Sequence, residues 1–230
     1  MADSRYRIAV SELRSAQKPT RGASAYSIRV NRPLGRRLAA MASVLGLTPT
    51  QVSVLSAGLS LVGIGLLTFL RPSPALGLFV GGALVGGFAL DSADGQLARL
   101  QGTSTRAGEW VDHMVDCLVK LLLHIGVLVS WYHVHRDRHL LFIPLAFQVV
   151  AVLTFFGGVL VEKLRTTQAP PPHGLRGRPG LLLPVDNGVL CCSFFVWGIP
   201  TAFVWLYSVL FLTHLLYLAA FLRNWYGDLR

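Results

Sequence analysis

Apolar residues dominate the chain from residue 48 onwards, and the breaks between apolar runs define its elements. Positions 1–50 hold nine of the 21 basic residues and no long apolar run, so no signal peptide is expected at the N-terminus. Within this stretch Asn31-Arg32-Pro33-Leu34 opens a helical pattern. Pro33 suits a first helical turn, and Leu34, Leu38, Met41 and Leu45 recur at helical spacing opposite Arg36 and Arg37. This predicts an amphipathic helix that either lies in a membrane interface or packs on the protein. The long apolar runs beyond residue 48 favour the interface. Thr48, a plausible N-cap, then starts a span to Leu70, and Arg71-Pro72-Ser73-Pro74 breaks it. A second span, rich in glycine, rises from about Ala75 to a charged stretch near residue 100. A third runs from about Gly108 to Tyr132 and a fourth from Leu140 to Val161, separated by a polar turn at 133–139. A loop with Pro170, Pro171 and Pro172 comes next. The fifth apolar run, Asn187 to Trp197, is only about eleven residues, too short to cross a roughly 30 Å hydrocarbon core as a straight helix unless residues 180–185 complete it. Gly198-Ile199-Pro200 turns the chain into a sixth span ending at Leu222. The pattern predicts an all-α polytopic membrane protein: an N-terminal segment with an interfacial helix over 1–47, and six transmembrane helices forming one domain over 48–225.

Composition excludes the other classes. The chain is 53% hydrophobic and 14% charged, with a mean hydropathy of +0.53, where a soluble domain carries roughly 25% charged residues. Disorder is excluded by the amount of apolar surface. A disulfide scaffold is excluded because two of the three cysteines, Cys191 and Cys192, are adjacent. The net charge of +10 would point to nucleic acid in a soluble protein. Here it reads as basic loops held against anionic membrane lipids, with no nucleic-acid partner. With six spans, seventeen Lys and Arg fall on the side of the termini and three (Arg71, Arg136 and Arg138) on the other, while Lys120 lies inside a span. The positive-inside rule therefore places both termini in the cytoplasm. The preference for Arg over Lys fits a GC-rich genome and hence a bacterial cell membrane.

Five of the eleven acidic residues fall within 26 positions: Asp91, Asp94, Glu109, Asp112 and Asp116. A charge at mid-depth costs at least ~2.5–3.5 kcal/mol on insertion scales, so such a cluster needs a physical reason. At about 100° per residue, Asp91, Asp94, Gly95, Ala98 and Arg99 share an arc of about 140° on the second helix, and Gly108, Asp112 and Asp116 an arc of about 80° on the third. Two helices joined by a short turn can thus face four carboxylates towards one another. Facing carboxylates repel unless cations sit between them. An oxygen-only ligand set favours hard ions such as Mg²⁺, Mn²⁺ or Ca²⁺, and two divalent ions would neutralise four aspartates. Two-metal carboxylate sites serve displacement at phosphorus.

The pattern Asp91-Ser92-Ala93-Asp94-Gly95-Gln96-Leu97-Ala98-Arg99, then eight residues, then Gly108-Glu109-Trp110-Val111-Asp112-His113-Met114-Val115-Asp116 resembles the signature of the CDP-alcohol phosphotransferases, with all eight fixed positions present. Six spans, the interfacial helix and the Asn-Arg-Pro segment also look like this family, over about residues 30–225. The resemblance implies an enzyme that displaces CMP from a CDP-linked alcohol by an acceptor hydroxyl. By the same resemblance Asp91, Asp94 and Asp112, with Asp116 nearby, hold the metal, two Mg²⁺ or Mn²⁺ ions. Asp116 is the general base, and Asp91, Gly95, Ala98 and Arg99 bind the nucleotide. The reading favoured is a phospholipid synthase that moves a phosphatidyl group from CDP-diacylglycerol to a small hydroxylated acceptor. A small CDP-alcohol donating its headgroup to a lipid alcohol is the alternative within the class. A cation transporter, whose carboxylates line an ion path, is the alternative outside it, but it does not explain the fixed glycine, alanine and arginine.

Outside the signature, four residues are candidates for the acceptor: Lys120, Lys163, Arg165 and Asp186. Each also has a plain structural role, Lys120 pairing with Asp116 one turn back, Lys163 and Arg165 anchoring the membrane end, and Asp186 capping the fifth helix. Gly82 and Gly86 permit close helix approach, within the chain or at a homodimer face. His113 points about 100° away from Asp112. Trp197, Trp205, Trp225 and Tyr226 read as interfacial anchors.

Overall fold

A computed structural model describes residues 2–15, 24–135, 137–164 and 179–228, and among them there is no strand. Helix α1 (Ala2–Ser15) is followed by a π-turn (Ser27–Asn31) that leads without a break into α2 (Arg32–Val44). Then come α3 (Pro49–Phe69), α4 (Pro74–Gln101) and α5 (Arg106–Val134). A 3₁₀ turn (Arg138–Leu141) precedes α6 (Phe142–Leu164). After a 3₁₀ segment (Pro179–Val185) come the short α7 (Asn187–Ser193), a further 3₁₀ turn (Phe194–Val196) and α8 (Pro200–Asp228).

Local sequence accounts for the boundaries. Thr48 and Gln51 form a reciprocal capping box at the start of α3, with Pro49 in its first turn. Ser73 and Thr105 cap α4 and α5 by accepting from Leu76 and Gly108 N–H. The α4–α5 hairpin turns on Gly102 in the left-handed region, φ 64°, which glycine adopts at little cost. Pro33 sits in the first turn of α2 as expected, and a π-turn extends the helix ahead of it to Ala25.

Among the described residues, five helical segments have the length and apolarity to cross a membrane: α3, α4, α5, the Arg138–Leu164 unit and α8. The predicted fifth run is the exception, since Pro184 and the extended backbone at Asp186 (ψ 133°) break it into pieces. Packing shows where it goes. Asn187 and Cys191 lie level with Gly87 and Asp91 of α4. Phe195 lies against Gly77 and Gly81 nearer the start of α4, and Gly198 is pressed against the backbone of Ser73 and Pro74. The segment therefore runs antiparallel to α4, from the carboxylates to the helix's far end.

Two cores result. The larger joins α3, α4, α5, α6, α7 and α8 around Leu67, Val80, Val127, Trp131, Phe147 and Tyr207. The smaller packs the N-terminal layer on the carboxylate-bearing half of α4: Ala9 and Leu13 of α1 and Ala39, Ala40 and Ala42 of α2 meet Ala93 and Leu97. The residues of α2 that bury are thus its small ones. Met41 and Leu45, from the predicted apolar stripe, stay exposed, as suits a face turned to lipid. Trp197 is no interfacial anchor: it is buried and donates to Ser130 Oγ at 3.2 Å. Trp225 likewise buries against Gly157, while Trp205 and Tyr226 are exposed as expected. Gly86 packs on Leu59 of the same chain, whereas nothing lies beside Gly82.

Candidate active site

The site forms where the last turns of α4 meet the first turns of α5. One oxygen from each of Asp91, Asp94 and Asp112 lies within 4.8 Å of the others. Asp94 is buried while Asp91 and Asp112 are half-buried. Asp94 is held from two directions: it accepts from the Ser53 hydroxyl of α3 and from the Gly95 N–H. Three carboxylates this close in an apolar surround are stable only with positive charge between them, and an all-oxygen donor set fits a divalent hard cation. Beside Gly95 the surroundings are uncrowded, since a Cβ there would meet only Arg99 Nη1, at 3.6 Å. A flat ligand can therefore approach the α4 backbone.

Asp116 lies one turn beyond Asp112, in an ion pair with Lys120 at 3.1 Å. Asp116 and Lys120 line a cavity, together with Asp91, Ser56 and Ser60 of α3 and Asn187 of α7. Ser56 donates to Gly87 O at 2.8 Å. A Cβ at Gly87 would collide with the Ser60 side chain, so the glycine lets α3 and its hydroxyls come close to the carboxylates.

The four acceptor candidates separate. Lys120 lies in the cavity. Lys163 does not reach it, donating instead to Glu109 Oε1 at 2.7 Å and tying α6 to α5. Asp186 caps α7 by accepting from Gly188 N–H at 2.6 Å and also accepts from the Ser24 hydroxyl. It is a tether for the segment ahead of α2, and its neighbour Asn187 is the residue that enters the cavity. Arg165 lies outside the described residues. His113 stands 3.9 Å from Glu109 and edge-on to Phe155, away from the carboxylates. Tyr26 packs its ring against Gly188, with its hydroxyl near Cys192 Sγ at 3.7 Å. Burial first, and then that thiol, push the Tyr26 hydroxyl above its usual range and keep it neutral.

Ser53, Ser56, Ser60 and Asn187 lie outside the signature. The available signal was three serines at helical spacing within an apolar span, an expense that such a span avoids without a polar partner. Asn187 had no signal, because only the fold brings α7 to α4.

The sequence profile of the CDP-alcohol phosphatidyltransferase family matches residues 46–222. No curated protein matches the sequence. Among solved structures, the fold is similar to Mycobacterium tuberculosis phosphatidylinositol phosphate synthase (PgsA1) with CDP-DAG bound. The TM-score is 0.62 at 22% identity, over 88% of this chain and 98% of that one. It is likewise similar to the same synthase in complex with manganese and citrate, with a TM-score of 0.62 at 21% identity over 84% and 90%.

Proposed function

The chain belongs to the CDP-alcohol phosphatidyltransferase family and is a membrane phosphotransferase, and from that premise we propose that it moves a phosphatidyl group from CDP-diacylglycerol to a small hydroxylated acceptor, releasing CMP. The observation that carries this reading is the convergence of Asp91, Asp94 and Asp112 beside a cavity that holds Asp116. A relative of the same fold holding CDP-DAG supports the lipid donor.

Bound at Asp91, Asp94 and Asp112, with Asp116 at the margin, two Mg²⁺ or Mn²⁺ ions would neutralise the donor's diphosphate and steady the charge that develops in the displacement. The chain's own residues do the rest. Gly95 and Ala98 leave room for the cytidine along α4, and the Arg99 guanidinium meets its phosphates. The Asp116 carboxylate, oriented by Lys120, takes the proton of the acceptor hydroxyl. That oxygen bonds to the phosphatidyl phosphorus, the bond to the CMP oxygen breaks, and CMP leaves as an anion. Residues 48–225 form the catalytic domain and 1–47 the N-terminal segment with its interfacial helix.

For topology, both termini and the site lie on the cytoplasmic side of a bacterial membrane. Pro179–Val196 completes the sixth crossing as a composite of two 3₁₀ segments and α7.

The test is CMP release by the purified protein from CDP-diacylglycerol, with serine, glycerol 3-phosphate, inositol phosphate and inositol each offered as acceptor. Release with one of them, lost in EDTA and restored by Mg²⁺ or Mn²⁺, is expected. Full turnover in excess EDTA sinks the metal reading. CMP release only from a small CDP-alcohol with diacylglycerol establishes the reverse pairing of substrates, and ion flux without CMP release makes the protein a transporter.

A further inference from the structure

The cavity beside the carboxylates contains a carboxamide that the mechanism leaves unused. Asn187 lines it from α7, together with Ser60 of α3 and Asp91, Asp116 and Lys120. Its half-buried carboxamide makes no hydrogen bond to the described residues. Asp116 pairs with Lys120, Ser56 bonds Gly87, and Asp91 faces Asp94 and Asp112. The backbone under Asn187 is held firmly. Asp186 accepts from Gly188 through its carboxylate and from Val189 and Leu190 through its carbonyl, while also bonding Ser24. Tyr26 covers Gly188 so closely that no side chain fits there. A carboxamide fixed on such a support, with no partner among the described residues, is placed to bind a ligand that enters the cavity. An amide carries both a donor and an acceptor, which matches a hydroxyl, itself both donor and acceptor.

Resting on the phosphatidyl-transfer reading, we propose that Asn187 is an acceptor-binding residue: it hydrogen-bonds a second hydroxyl of a small polyol while Asp116 takes the proton from the reacting one. The Asp116–Lys120 pair marks one end of the acceptor and Asn187 the other. The acceptor class is then a compact polyol, free or carrying a phosphate elsewhere. A site built to pair a hydroxyl rejects the analogue that lacks it, because its own buried polar group is then left bare.

The experiment compares acceptors that differ by one hydroxyl. Glycerol 3-phosphate is set against 3-hydroxypropyl phosphate, and inositol and inositol phosphate against their monodeoxy analogues, with wild type, Asn187→Ala and Asn187→Asp. Wild type should prefer the full polyol by about tenfold or more in kcat/KM. In Asn187→Ala that preference should shrink towards unity as the acceptor KM rises, while the KM for CDP-diacylglycerol stays put. Asn187→Asp keeps the shape and removes the donor. It should also lose preference, and it carries the test if the alanine variant is not recovered folded. Equal discrimination in wild type and variants overturns the assignment, as does a parallel rise in the CDP-diacylglycerol KM, which marks a structural role. Serine as the sole working acceptor overturns the polyol. Wild type that releases no CMP with any acceptor overturns the phosphatidyl-transfer reading itself, a result separate from active wild type with indifferent Asn187 variants.

Discussion

Among single residues, the sharpest contrast is between Asp112 and Asp116, four positions apart on one helix face. Asp112 shares its surroundings with two further carboxylates, whereas Asp116 shares its with an ammonium group at 3.1 Å and a cavity. The first environment calls for a cation, and the second suits a proton acceptor. Asp116→Asn should therefore lower turnover by about 10²–10⁴-fold, the usual worth of general-base help, while metal-dependent binding of CDP-diacylglycerol persists. Asp112→Asn should lose both. Binding that collapses equally in the two variants would place Asp116 among the ligands. Ser53 offers a second test. Its hydroxyl donates to the buried Asp94, and partners that orient a metal-binding group are typically worth ~10–100-fold in metal affinity. Ser53→Ala should raise the Mg²⁺ concentration needed for half-maximal activity by about that factor, with little change in rate at saturating metal. An unchanged metal requirement would mean that the hydroxyl merely fills space.

At the scale of elements, the α4–α5 hairpin and α7 are positioned by different means. The hairpin is local: Gly102 and Thr105 set the turn, and helical periodicity does the rest. Placement of α7 depends on glycines of distant segments. A Cβ on Gly198 would run into the carbonyl of Ser73, backbone that cannot swing aside, and one on Gly81 would meet the Phe195 ring. Gly198→Ala should cost roughly 1–3 kcal/mol or more, as overpacking does, read as a lower midpoint of thermal unfolding in detergent. Gly82→Ala is the control, because nothing lies within 4 Å of its Cβ position. A midpoint equal to wild type in Gly198→Ala would show that α7 and α8 are not pinned to the start of α4.

For the whole molecule, the question is which way the helices face. Seventeen basic residues against three favour one orientation, and that orientation holds only if Pro179–Val196 completes a sixth crossing. Cysteine-labelling on a cysteine-free background checks both at once. A cysteine placed after Arg230 should be reached only by reagents that enter the cell, and one at the exposed Arg71 by reagents that do not. Labelling of both positions from the same side would mean an even number of crossings between them, and the composite segment would then not span.

Helix content, most helix boundaries and the carboxylate pair of helices were legible in the sequence because each depends on neighbours within a turn or two. Thr48 caps α3 wherever α3 goes, and Asp91 and Asp94 share a face through helical periodicity alone. A run of eleven apolar residues at 187–197 could not be resolved the same way. Its length leaves it short of a membrane span, and only the fold shows that it starts beside Gly87 and Asp91 and ends against Gly77, Gly81 and Ser73. The same reason separates Lys120 from Lys163: both looked like cations near a cleft, and the fold gave one to Asp116 inside the cavity and the other to Glu109 at the exposed edge. Burial of Trp197 and the approach of Ser53 to Asp94 were equally invisible, since each pairs residues dozens of positions apart. Periodicity tells which residues of one helix share a face; which helix that face meets is decided by the close packing of all of them together.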